Sequence, residues 1–159
     1  MDIQKIISQI NACNDPELLR GWIKNAKRHG EATVEDAAMR KLISIVPEEE
    51  PGTVGHDFWT TVHAFEYVLT EENGKTTRLS RTRQKVKRDG VVATLASWAE
   101  STKPKDGFNM LMERGMPELT GEAIVLRHQT DFEPGVIEAA RARLEAAGVD
   151  LDQIQAPNH

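Results

Sequence analysis

Cysteine is almost missing from this chain: Cys13 is the only one in 159 residues. No intramolecular disulfide can form, and zinc sites built on cysteine pairs are excluded by count. Such a chain suits a reducing compartment and reads as cytoplasmic. Aromatic residues are also scarce, at 5%, which argues against a row of stacking platforms for single-stranded nucleic acid. Long apolar runs do not occur. No window approaches the roughly 18 apolar residues of a membrane span. The opening MDIQKIISQINACND spaces its apolar residues with polar ones, unlike a secretory signal. Clean alternation is nearly absent. The two runs that could be strands, Val91 to Leu95 and Ala123 to Leu126, are short and lie inside longer helical patterns. No internal repeat of roughly 20 to 50 residues is visible, which argues against a solenoid.

What is present is the composition of a globular protein: 39% hydrophobic and 28% charged residues. A chain of this length buries roughly two thirds of its unfolded surface and needs no metal or disulfide to fold.

Helical punctuation recurs throughout. Ile3, Ile6, Ile7 and Ile10 repeat at helical spacing over residues 2 to 13. Asp15-Pro16 is a start signal, because Asp can cap free N–H groups and Pro at the first helical position loses nothing. Leu18, Leu19, Trp22, Ile23 and Ala26 follow, and Gly30 can close that helix. Thr33 with Asp36 is close to a capping box for a third helix, which Pro47 ends. PEEEPGTVGH, residues 47 to 56, reads as a linker. Asp57 then opens a helix carrying Phe58, Val62, Phe65 and Leu69. Thr77 is placed to cap a helix through Arg88, and Asp89-Gly90 ends it. Further helices are expected over Val91 to Glu100, over Phe108 to Arg114, from Pro117, and from Pro134 to Gly148. In the last, Ile137, Ala140, Leu144 and Ala147 form the inward stripe, so Arg141 and Arg143 are expected in solvent. The fold class is therefore all-α, an irregular multi-helix bundle of about eight or nine short helices. The expected layout is an N-terminal three-helix unit over 1–46, a linker over 47–56, a helical body over 57–148 and a loose tail over 149–159.

Net charge is −5, but it is unevenly spread. Lys75, Arg78, Arg81, Arg83, Lys85, Lys87 and Arg88 face a single acid, Asp89, so residues 75–89 carry +6 and the rest of the chain −11. Arg78, Arg81, Lys85 and Arg88 share one helical face at about 100° per residue. Leu79 and Val86 offer a narrow docking stripe behind them, with Arg83 and Lys87 widening the basic face. Such a row suits phosphates, because each cation that meets one releases condensed counterions. The expected function is thus non-catalytic binding of nucleic acid, DNA favoured, through these seven cations. Lys24 and Arg28 on the second helix form a possible flank, although the helix macrodipole alone favours cations there. The alternative is an adaptor whose basic helix meets an acidic protein partner, or a face paired with the chain's own carboxylates such as Glu48 to Glu50 or Glu71 and Glu72.

Other chemistry is weaker. The pair of helices around Asp89-Gly90 invites a helix-turn-helix label, yet the second helix, VVATLASWAES, holds no base to read a groove. Gly74-Lys75-Thr76 ends like a phosphate-binding loop, but Leu69 stands where the first Gly belongs and no strand precedes it. His63 and Glu66, at i and i+3, are the one catalytic or metal-binding pair to test, with His56 and Asp57 nearby. Cys13 reads as a small filler, and Met110, Met112 and Met116 as adaptable core. Trp22, Trp59 and Trp98 read as core anchors. No catalytic residue, metal or cofactor is assigned from the sequence.

Overall fold

The computed structural model describes residues 2 to 154. Among them are nine α-helices and three short 3-10 turns, with no strand. The all-α, multi-helix expectation is met. The chain divides into two compact units at Glu49/Glu50.

The first unit holds three helices. Helix α1, Ile3–Ala12, is started by Asp2, whose carboxylate accepts the N–H groups of Gln4 and Lys5. Helix α2, Pro16–His29, is started by Asp15, which accepts the Glu17 N–H at 2.9 Å. Helix α3, Ala32–Ile45, begins one residue before the expected Thr33, with no side-chain cap. Asp36 is instead tied to Arg40 at 2.8 Å one turn on. Helices α1 and α2 both pack on α3. Ile10, Leu19, Ile23, Ala38 and Met39 are among the side chains this buries.

The second unit opens with α4, Val54–Asn73. It starts three residues earlier than Asp57, inside the stretch read as linker, because Thr53 accepts the His56 N–H at 3.1 Å and caps it. Next come α5, Ser80–Asp89, and α6, Val91–Glu100, joined by Gly90 alone. Gly90 sits at φ +90°, a conformation L side chains avoid, so glycine permits the one-residue turn. Helices α7, Asp106–Glu113, α8, Gly121–Arg127, and α9, Pro134–Ala146, complete the unit. The element expected from Pro117 is a 3-10 turn, Pro117–Leu119, followed by α8, which Thr120 caps.

Helix α8 lies at the centre, with Gly121 through Val125 all buried. It packs against α4, α6 and α9. Phe58, Val62, Leu95, Ile124 and Ala140 form the main core there. A smaller cluster joins Phe108, Ala123, Leu144 and Ile154. Two expectations are corrected here. Residues 151–154, read as part of a loose tail, form a 3-10 turn that buries Ile154, because that side chain fills a gap beside Leu144. The rest of the expected tail, 155–159, lies outside the described residues. Arg143, read as solvated, is largely buried and paired with Glu122 at 2.9 Å.

Candidate nucleic-acid interface

The basic segment is built differently from a single helix. Thr77 does not cap α5. Its N–H is taken by Thr70 Oγ1 at 2.9 Å, and its hydroxyl donates to the Lys75 carbonyl at 3.0 Å. The chain therefore stays non-helical through Arg78, and α5 begins at Ser80. Lys75 and Arg78 consequently precede the helix and do not share its face.

The start of α5 is fastened by a residue from α4. Glu66 accepts the Leu79 N–H at 2.7 Å. The same carboxylate grips Arg83, one turn on, through two bonds: Nε at 2.8 Å and Nη2 at 2.7 Å. The Arg83 guanidinium also lies 5.3 Å from the centre of the Trp59 ring, within cation–π range. A negative charge at the helix N-terminus adds to this arrangement through the helix dipole. Burial works to raise the Glu66 carboxyl, but the Arg83 hydrogen bonds, the Leu79 N–H and nearby positive charge outweigh it and hold it below the ordinary glutamate range.

Arg83 is thus a correction to the expected contact set. It does not widen the basic face but points inward. The physical reason is an acid 17 residues back in sequence that helix α4 delivers to its side. Leu79 and Val86 pack against the core, as the docking stripe requires.

The other cations divide into two groups. Lys75, Arg78, Arg81 and Lys87 are exposed and make no ion pair among the described residues. Lys85 lies 3.5 Å from Asp89 across one turn, and Arg88 bonds Asp89 through Nε at 3.0 Å. Both of these pairs are at least partly exposed to solvent, where ion pairs add little and exchange partners readily. Arg81, Lys85 and Arg88 share the outward face of α5 at i, i+4 and i+7. Lys24 and Arg28 are exposed and unpaired on one face of α2, in the other compact unit.

The His63–Glu66 pair is brought onto one helix face, but Glu66 is committed to Arg83 and Leu79. Burial lowers the His63 pKa, helped by Arg83 and Arg78 and opposed by Glu66. Among the described residues, no three His, Cys, Asp or Glu side chains converge to hold a metal ion.

Sequence reasoning missed two buried polar groups. Asp57 meets His128 Nε2 at 2.7 Å and Arg127 Nε at 3.4 Å. Arg127 in turn donates to the carbonyls of Glu118 and Ile154, tying the 3-10 turns at 117–119 and 151–154 to the start of α4. The second group is Glu122 with Arg143, which also donates to the carbonyls of Trp98 and Ser101. Only a signal for long-range acid–base pairing would have found either, since the partners are 21 to 71 residues apart.

Compared with protein-family models, with curated proteins and with solved structures, the chain matches none.

Proposed function

We infer that this chain binds nucleic acid without catalysis, through backbone phosphates met by Lys75, Arg78, Arg81, Lys85, Lys87 and Arg88. One observation carries the reading. Arg83, the cation that a partly buried acid takes, is the one that anchors the segment; Lys85 and Arg88 make only solvent-facing pairs with Asp89, and Arg78, Arg81 and Lys87 stay exposed and unpaired. A row of cations used only for internal charge balance would fold onto the chain's many carboxylates. Here Asp89 meets only Lys85 and Arg88, in exposed pairs, while Glu66 is committed to Arg83 and Glu71 to Arg114 at 3.4 Å. Duplex DNA is the favoured partner, since helix α5 offers phosphate contacts along one side. Its apolar neighbour α6 supplies Leu95 and Ala99 to the core and has no base-reading side chain.

Fluorescence anisotropy of a labelled duplex, titrated at several salt concentrations, tests this. Four to six phosphate contacts give a slope of log affinity against log salt of about −4 to −5. Charge reversal at Arg81 and Lys87 together abolishes binding, while Lys24→Glu with Arg28→Glu reports whether the first unit contributes. Absence of duplex binding at low salt overturns the reading. So does binding that is indifferent to the Arg81 and Lys87 reversals. If those reversals instead break a nuclease-resistant complex with an acidic protein, that partner replaces DNA.

A further inference from the structure

The basic segment forms one wall of a cleft of about 400 Å3, toward the small end of small-molecule sites. Leu79 and Thr82 are its contribution. Phe65 and Leu69 from α4, Trp98 from α6, and Phe108 and Met110 from α7 supply most of the rest. The lining is largely apolar and carries three aromatic rings. Those rings are held in place. Trp98 stacks on Phe58 with centroids 5.5 Å apart and meets Phe65 edge-on at 6.1 Å. Gly107 lets the start of α7 close on Phe65, since a Cβ there would stand 2.6 Å from the ring. The cleft is thus formed in advance, which spares an occupant the cost of ordering its walls.

Charge around the cleft is divided by depth. Arg78 and Arg81, both exposed and unpaired, immediately precede the lining residues Leu79 and Thr82 in the chain. Lys105 is exposed at the mouth and makes no ion pair among the described residues. Two acids also line the cleft. Asp106 is exposed beside Lys105, while Glu122 is buried and already bonded by Arg143 and a backbone N–H. The interior therefore asks for no ionic partner, and an acid there disfavours an anion. What suits it is a flat, neutral, largely apolar group. The segment beside it suits phosphates. A nucleotide joins these two chemistries, with a neutral base on an anionic backbone. The Thr82 hydroxyl, which makes no hydrogen bond among the described residues, is free to donate to or accept from the edge of a base.

We propose that this cleft takes up one unpaired base of the DNA whose phosphates meet the basic segment. The base lies among Phe65, Trp98, Phe108 and Met110, and its flanking phosphates stay outside on Arg78, Arg81 and Lys105. Resting on the nucleic-acid reading above, this narrows the partner to a duplex that carries a single-stranded end. A paired base does not enter, because it must first be extruded from the stack. Stacking on aromatic rings tolerates every base, so the preference is for an unpaired base and not for a sequence. One cleft serves one base, in keeping with an aromatic content of 5% that provides no row of platforms.

The test is fluorescence anisotropy of the full chain with three labelled DNAs. One is a blunt duplex, the second adds a three-thymidine extension at the 3′ or the 5′ end, and the third carries abasic sites in place of those thymines. The thymidine extension is expected to raise affinity at least about ten-fold over the blunt duplex, the effect of stacking one base. The abasic extension brings the same phosphates without bases and should stay within about three-fold of the blunt duplex. Met110→Trp fills the cleft from α7 and should remove the preference for thymidine over abasic ends. Because that variant could fail to fold, the Trp98 indole resonance of the native protein is followed as well. It should shift with the thymidine extension and not with the abasic one. Equal affinity for thymidine and abasic extensions, a preference undiminished by Met110→Trp in a folded protein, or an indole resonance indifferent to the thymines overturns the inference and leaves the phosphate reading standing if the blunt duplex still binds. Binding to none of the three DNAs overturns both.

Discussion

Glu66 holds Arg83 by both of its carboxylate oxygens, at 2.7 and 2.8 Å, from one helix across to the next. Helix α5 needs this grip. It buries no residue completely, and its apolar contribution is limited to Leu79 and Val86. A ten-residue helix with so little apolar surface is marginal in isolation.

Arg83→Ala is therefore expected to loosen α5 selectively. Losing a forked, partly buried charge pair costs about 2 kcal/mol. Amide exchange across 80–89 should accelerate, while α8, buried on all sides, keeps its protection. Arg83→Lys keeps the charge but not the fork, and should fall between the two. Unchanged exchange in Arg83→Ala would mean that Leu79 and Val86 suffice.

The same cluster sets an acid response. His63 and Glu66 both have depressed pKa values in the folded protein. The unfolded chain then binds more protons, so their contribution to stability is present at higher pH and is lost on acidification. For His63 the loss begins as pH falls below the ordinary histidine value of 6.5; for Glu66 it begins below 4.5. Order in α5 should accordingly decline in two stages. His63→Gln should remove the upper stage and leave the lower one, as read by amide signals of 80–89 during a pH titration. Glu122 acts with the opposite sign. Burial raises its pKa, so its contribution is present below 4.5 and is lost as pH rises through the folded value.

The local signals in the sequence were readable because they act within one turn. Asp15-Pro16 and the Gly90 turn depend on backbone chemistry that neighbouring residues determine, and both appear where those residues stand. Of the expected stripe Ile137, Ala140, Leu144 and Ala147, burial follows the helical period at Ala140 and Leu144, while Ala147, just past the end of α9, is exposed. The burial of Arg143 was not legible. A stripe read along α9 places it off the apolar face, but α8 brings Glu122 to that side, and no feature near position 143 reports an acid 21 residues away. The start of α5 failed in the same manner. Thr77 has the right chemistry for a cap, yet Thr70 and Glu66 from the preceding helix take the backbone N–H groups of Thr77 and Leu79 first. For the candidate interface, the cluster of cations was visible in composition, while the removal of Arg83 from it required knowing where Glu66 points.

The Glu122–Arg143 pair gives a contrast between breaking and replacing. Arg143→Ala leaves a buried carboxylate without its ion-pair partner and takes a donor from the Ser101 carbonyl, whereas the Trp98 carbonyl keeps its bond from the Ser101 hydroxyl. A loss of about 3 to 5 kcal/mol is expected in urea unfolding of the second unit. Glu122→Gln retains a polar acceptor for Arg143 and should cost less. The double replacement Glu122→Leu with Arg143→Met removes both charges and should recover part of the loss, though the Ser101 carbonyl loses its Arg143 donor while the Trp98 carbonyl keeps the Ser101 hydroxyl. If the double variant were less stable than Arg143→Ala alone, the ion pair would contribute more than its desolvation costs.

Two glycines in helices should respond to alanine in opposite directions. Gly21 lies inside α2, with no atom within 4 Å of a built Cβ and no positive φ. Alanine there gains helix propensity and fills open space, so Gly21→Ala should stabilise the first unit by about 1 kcal/mol. Gly121 opens α8, where a Cβ would meet Trp98 Cε3 at 2.8 Å and Leu95 Cδ2 at 3.4 Å. Trp98 cannot retreat freely, because its ring is stacked on Phe58 with centroids 5.5 Å apart, and Leu95 is fully buried. Gly121→Ala should therefore destabilise the second unit by about 1 to 3 kcal/mol through overpacking. Near-ultraviolet circular dichroism of Trp98 should change in that variant and stay constant in Gly21→Ala. Exchange of the α2 amides would carry the opposite record, slowing only when alanine replaces Gly21. A Gly121→Ala protein of unchanged stability would show that α8 can shift away from Trp98, and that the close approach is not a fixed feature of the core.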